Sequence, residues 1–406
     1  MRRGRCDVRS NAAAHEYRTV GTARLTRAVA ALLAIAGVGS CADSTSPVAP
    51  GDLVIVGGGA MTNIAAVSVS RGEVVARIGP IPKYKDTYAL SPDSSRLYIS
   101  SFDNTSPVTL TVVDTRSLRV VAQEPMSAIG ARSAIGPVLP LGGYGMAVSP
   151  DGKKLVMNGL RGDSTTWLTD SARVVVIVDV ASLTPVGLVG PFSVPADGIV
   201  PVPGSGESAS QRVMVLGARP GASVLPSGLI LILGGPDLTL VDSLKPGVPV
   251  YQVVPVSGGQ AALLLSARSI YRFDLTTREL VASAPRPTIF GSPCLSPDGS
   301  RLYHTDPGDG FDFPGGGRIQ VYDVHDETLQ LLAPIDLGSA DLFPPRLNNC
   351  AVSRDGRFLF VSSGTWEAGP LYPVQPGRLF VVDRSSGHLV RTVNMGDWLS
   401  REVFAL

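Results

Sequence analysis

The stretch from Thr305 to Gly317, TDPGDGFDFPGGG, sets Asp306, Asp309 and Asp312 three residues apart among glycines. Carboxylate oxygens on such a loop are hard ligands, and they could hold a cation such as Ca²⁺. The spacing is not that of an EF-hand and no bidentate glutamate follows, so solvated turn aspartates are the simpler reading and no cofactor is expected. His304 directly precedes this loop at the end of a strand, which makes it the one weak candidate for a general base or a metal ligand. A lone histidine at a strand end is more often a packing or surface residue, so no catalytic residue is assigned. Phe311 and Phe313 in the same loop, with Trp366 and Tyr372 in a second long loop, would give aromatic surface suited to a protein or glycan partner.

These side chains are carried by a repeated unit. Four stretches share nearly the same wording: YALSPDSSRLYIS at 88–100, MAVSPDGKKLVMN at 146–158, CLSPDGSRLYHT at 294–305 and CAVSRDGRFLFVS at 350–362. Each reads as a short apolar strand, a tight turn and an alternating strand. Proline presets φ at the second turn position, aspartate bonds the local backbone and glycine takes positive φ. A second phrase follows every copy, for example VVVIVDVASLTPVGLV at 174–189, and it reads as strand, Asp-containing turn, strand. Asp114, Asp179, Asp274, Asp323 and Asp383 occupy the same place in this phrase. Five copies of one catalytic acid would have no use, so they are read as turn caps.

Weaker copies lie near Gly204 and Gly258, and residues 53–78 match only the second to fourth strands of the unit. The missing first strand is found in the closing residues, REVFAL at 401–406, which align with DTYAL at 86–90. A unit divided between the two termini is how a circular array closes, and units starting near 401, 87, 145, 199, 250, 290 and 348 predict seven four-stranded blades over residues 52–406. Ser-Pro-Asp-Gly-x-x-Leu-Tyr-Val followed by Val-x-Val-x-Asp resembles the YVTN-type seven-bladed β-propellers, related to lactonase-like and surface-layer propellers. The resemblance implies an all-β fold. Functions vary within that family, and a fold alone transfers none of them.

In such a ring the A–B and C–D turns share one face, and the B–C loops and blade-to-blade connections share the other. The A–B turns are expected to be tight throughout. Length variation falls on the opposite face, in B–C loops at 102–107, 160–171, 306–317 and 363–376 and in connections at 124–144 and 336–347. Long loops on a rigid scaffold are where recognition is usually placed. Cys294 and Cys350 lie two and three residues before the turn serine of adjacent blades. The one-residue offset turns them to opposite faces of their strands, as a bridge between stacked blades requires. A disulfide between them is one reading, and two buried thiols are the other.

The N-terminus carries an address. Arg18, Arg24 and Arg27 precede an apolar run, Ala28 to Gly39, too short to span a bilayer and suited to a secretion signal. It ends in Val38-Gly39-Ser40-Cys41, which resembles the bacterial lipobox and implies removal of residues 1–40 and lipidation of Cys41. Two or three acyl chains, at about 0.8 kcal/mol per buried CH₂, would hold the protein durably on a membrane. Residues 41–51 would form a polar tether, and Ala42 suits sorting to the outer membrane of a Gram-negative cell envelope.

Composition narrows the function classes. With 45 Gly, 33 Pro and only 17% charged residues, the chain has the profile of many short strands joined by turns. A net charge of +1 with no Lys/Arg block after residue 27 argues against nucleic-acid binding. No Cys-x-x-Cys-His, nucleophile elbow, phosphate loop or zinc spacing occurs. The expected function is a lipid-anchored binding or scaffolding propeller with a protein or glycan partner. The alternative is a lactonase-like propeller hydrolase with its site on the long-loop face.

Overall fold

Runs such as Arg173–Asp179 are apolar at every interior position, and a strand of this kind must be covered on both of its faces. The structure, a computed structural model, meets that requirement by stacking sheets around a ring. It describes residues 51–57, 63–82, 84–103, 106–141, 145–161, 173–192, 198–202, 212–217, 228–256, 258–287, 291–306, 317–325, 328–338, 346–364, 377–396 and 402–406.

Seven antiparallel sheets follow one another along the chain. Blade 2 is the simplest, with strands A to D at Tyr84–Leu90, Arg96–Asp103, Ser106–Asp114 and Arg119–Pro125. Blade 4 runs Gly198–Val202, Arg212–Gly217, Leu229–Gly234 and Thr239–Leu244, and blade 5 runs Gln252–Pro255, Ala261–Leu265, Ser269–Asp274 and Glu279–Pro285. Blade 7 comprises Leu347–Val352, Phe358–Ser363, Gly377–Asp383 and Leu389–Gly396. Two blades have a split strand. In blade 3, both Val138–Pro140 and Met146–Val148 pair with strand B, Lys154–Arg161, before Arg173–Asp179 and Thr184–Phe192. In blade 6, Pro293–Leu295, Arg301–Asp306 and Arg318–Asp323 are followed by a D strand broken into Gln330–Leu331 and Ile335–Asp336.

Blade 1 is assembled from both ends of the chain. Glu402–Ala405 pairs antiparallel with Leu53–Gly57, which continues into Ile64–Ser68 and Glu73–Ile78. The register sets Val54 opposite Ala405, Ile55 opposite Phe404 and Val56 opposite Val403. The closing strand predicted at 401–406 is therefore in place, and the chain is a seven-bladed β-propeller.

The core is distributed between the blades. Seven buried apolar clusters fill the seven interfaces, including blade 7 against blade 1 (Phe360, Leu379 and Val403) and blade 1 against blade 2 (Ile55, Ile64 and Leu97). This explains one departure from the sequence reading. Most of the B and C strands are buried on both faces, Leu155 to Leu160 being one example, because each is covered by two neighbouring blades. Alternation is clearest on an outer D strand, Arg119–Pro125.

Candidate functional site: the two faces of the ring

The face bearing the A–B and C–D turns is built from one repeated hydrogen-bond cluster. Ser91 Oγ donates to Asp93 Oδ1 at 2.7 Å and accepts from the Arg96 amide at 2.9 Å. The same pair of bonds recurs at Ser149, Ser296 and Ser353, so the hydroxyl locks the hairpin from inside. The serine hydroxyls hold Asp93 and Asp298 well below the usual carboxylate range, at about 2, with backbone amides adding to the effect. The left-handed position is glycine in three of these turns, while Ser94 takes it at φ 55 in the fourth.

The recurring aspartates cap the C–D turns. Asp114 accepts from the Ser117 amide and hydroxyl, Asp179 from those of Ser182, and Asp383 from the Ser385 and Ser386 amides. Three also pair with the first base of strand B: Arg96 with Asp114, Lys154 with Asp179 and Arg301 with Asp323.

Blade 7 departs from the repeat with Arg354 where the other three clear copies have proline. Its Nη2 donates to the Pro92 carbonyl at 3.1 Å and to Ser94 Oγ at 2.9 Å, both in blade 2. Blade 1, cut open at the termini, has no A–B turn, and Arg354 spans the gap that leaves. The expectation that every A–B turn is tight fails elsewhere as well. In blade 4 strand A ends at Val202 and strand B begins at Arg212, so nine residues intervene. The Gly-Ser-Gly-Glu-Ser sequence beginning at 204 lacks the Pro-Asp pair that would close a two-residue turn.

The opposite face carries the longer segments. B–C segments longer than ten residues separate Arg161 from Arg173 and Ser363 from Gly377, and blades 2 and 3 are joined through a short helix, Met126–Ala131. The helix buries Met126 and Ile129, so the connection at 124–144 is a packed element rather than a plain loop. The segment 102–107, expected as a loop, is mostly strand: strand B reaches Asp103 and strand C begins at Ser106.

Beneath this face, between blades 5 and 6, lies a buried polar centre. Arg286, 4% exposed, follows strand D of blade 5. Its Nη1 donates to the Ser266 carbonyl at 2.8 Å and its Nη2 donates to Gln252 Oε1 at 3.3 Å. Nη2 also lies 2.9 Å from His304 Nε2. A guanidinium only donates, so Nε2 accepts and the histidine carries its proton on Nδ1. Burial, and then the adjacent Arg286 charge, push the His304 imidazole down to about 3. Tyr322 Oη donates to the Pro285 carbonyl at 3.1 Å, and burial raises its phenol to about 12.

His304 is thus fully buried with the nitrogen that would act as base already occupied, and it serves as an acceptor that holds blade 5 to blade 6. Asp306 ends strand B opposite Arg318 and is half-buried. Asp309, Asp312, Phe311, Phe313, Trp366, Tyr372 and Cys41 lie outside the described residues. Cys294 and Cys350 form a disulfide with a Cα separation of 5.7 Å, joining the A strands of blades 6 and 7. Beside it Thr305 Oγ1 accepts from the Ser292 amide at 2.8 Å and donates to the Asn348 carbonyl at 3.3 Å, a second link between the same two blades. The sequence gives no motif for Arg286. Its only sign is an isolated arginine flanked by prolines at the end of a D strand.

Comparison with protein-family models finds no match. Comparison with curated proteins finds none either. Solved structures do match. A functionally unknown protein from Desulfotomaculum acetoxidans DSM 771 superposes with a TM-score of 0.57 at 16% identity, covering 85% of this chain and 96% of that one. The dihydro-heme d1 dehydrogenase NirN in complex with DHE gives 0.54 at 16% identity over 89% of this chain and 76% of its own. The β-propeller domain of Cps50 (Swd1) from Myceliophteria thermophila gives 0.50 at 14% identity, with coverage of 77% and 86%. These likenesses are to the fold. An uncharacterised protein, a dehydrogenase and a propeller domain share it at comparable distance, so none lends this chain its activity.

Proposed function

We propose that this chain is a cell-envelope lipoprotein, anchored through Cys41 in the outer membrane of a Gram-negative bacterium. Its propeller presents a binding or scaffolding platform to a protein or glycan partner. The observation that carries this reading is the inequality of the two faces. One carries, in four of the seven blades, near-identical turns whose serine and aspartate side chains are engaged in their own hydrogen bonds. The other receives the long B–C segments and the blade connections. Repeated tight turns leave little room for a specific recognition surface, whereas long segments on a rigid ring supply varied side chains at small entropic cost. The buried Arg286–His304 centre supports a rigid floor beneath them.

The test is affinity capture from envelope extract with the purified propeller, beside variants in which residues 307–316 or 365–376 are replaced by Gly-Ser linkers. Retained folding with lost capture is the expected result. Undiminished capture by both variants would place recognition elsewhere, and turnover of lactones by the intact protein would favour the hydrolase alternative.

A further inference from the structure

The chain enters the ring at a fixed point. Strand B of blade 1 begins at Leu53, opposite Ser68 at the end of strand C, so Gly51 and Asp52 lie on the face of the tight turns. Asp52 is clamped there. Its carboxylate accepts from Ser68 Oγ at 2.6 Å, from the Ser70 amide at 2.7 Å and from Ser70 Oγ at 2.7 Å, while its carbonyl accepts from the Val69 amide at 2.9 Å. Any pull transmitted along the preceding residues is delivered to this face.

The same end of the ring carries most of the exposed apolar side chains. Among the described residues ten large hydrophobics are exposed, and eight of them are Val121, Val186, Leu240, Val241, Leu280, Val281, Leu389 and Val390. All eight fall in the first three residues of a D strand, immediately after the C–D turn. The arrangement has a local cause. In blades 2, 3, 4, 5 and 7 the ladder between strands C and D shifts register at this point, leaving Val121, Val186, Val241, Val281 and Val390 as the extra, unpaired residue. Such bulges also blunt the outer strand edges against pairing with other chains. Blades 4 and 5 set two of these pairs on neighbouring edges, tied by Arg278 Nη2 to Asp242 Oδ2 at 2.9 Å.

We infer that the tight-turn face and its apolar rim rest against the lipid surface, and that the long-loop face points away from the membrane. This rests on the anchoring through Cys41 proposed above. From Cys41 to Gly51 the chain has ten residue steps and reaches at most about 35 Å when fully extended. A blade with an 8-residue strand is already about 26 Å tall. A tether leaving the tight-turn face meets a bilayer on that side directly, whereas bringing the long-loop face to the bilayer would spend about 26 Å of that reach merely on climbing the blade.

Lipidated protein reconstituted in vesicles would carry a fluorophore at Lys153→Cys, on the tight-turn face, or at Ile135→Cys, in the blade 2 to blade 3 connection. Each vesicle preparation would contain a headgroup-attached quencher. The expected result is loss of fluorescence at position 153 and little or none at position 135. Equal or reversed quenching on vesicle-bound protein would overturn the orientation while leaving the anchor standing. Failure of the wild type to associate with vesicles, or equal association by Cys41→Ser, would overturn the anchor and the orientation with it.

Discussion

The burial of His304 makes a prediction that needs only a change of pH. Its imidazole is held at about 3 in the folded ring against 6.5 when free, by burial first and by Arg286 second. The fold therefore requires the neutral form. As pH falls through 6.5 the unfolded chain binds a proton that the folded chain refuses, so stability present above 6.5 is lost on the way down to about 3. Between about pH 7.5 and about pH 5 the linkage amounts to roughly 2 kcal/mol. Asp93, Asp298, Asp323 and Asp383, all held at about 2 chiefly by side-chain hydrogen bonds, act in the same direction. Their loss begins only near the ordinary carboxylate range, below the window of the histidine. His304→Gln keeps an acceptor for Arg286 and cannot titrate. Urea unfolding across this window should show the wild type weakening and the variant weakening less by about the linkage value of 2 kcal/mol, whatever its absolute stability. An equal slope in the two proteins would refute the buried, neutral, Arg286-bonded state of His304.

The disulfide closes a loop with a sequence separation of 56, for which chain entropy predicts about 4 kcal/mol. The Cys294→Ser, Cys350→Ser double variant should therefore show a clearly lower urea midpoint, and an unchanged midpoint would mean the bridge contributes nothing. Arg354→Ala removes two exposed hydrogen bonds across the open blade and should cost about 1 kcal/mol. Deletion of residues 402–406 strips blade 1 of its inner strand and takes Val403 out of the cluster that buries Val54 and Val56. Hydrogen exchange should then accelerate at Val54, Ile55 and Val56, and unchanged protection there would show that the ring does not depend on its closing strand.

What could be read from the sequence was whatever is written locally and repeatedly. Ser-Pro-Asp-Gly encodes a hairpin within a few residues, and the Ser91, Ser149, Ser296 and Ser353 clusters realise it. Closure was legible for the same reason, since REVFAL repeats the inner-strand wording of blade 2 and pairs where that wording requires. The aspartate caps followed from their fixed place in the unit. Contacts between blades left no such trace. Arg286 meets His304 across 18 residues and Gln252 across 34, and nothing in either neighbourhood announces the meeting. His304 therefore read as a residue beside a loop, although neighbouring blades enclose it. Arg354 stood visibly in a proline's place, but its reason lies 260 residues away at Ser94. The helix Met126–Ala131 is too short for a periodic pattern to declare it.

Anchoring to a membrane depends on the state of Cys41. Intact-mass and N-terminal peptide analysis of the protein purified from envelope membranes should find a mature chain beginning at Cys41. Its sulfur should carry a thioether-linked diacylglycerol and its amino group a further acyl chain. A mature chain that begins elsewhere, or a Cys41 without lipid, would contradict the account of a membrane-anchored platform.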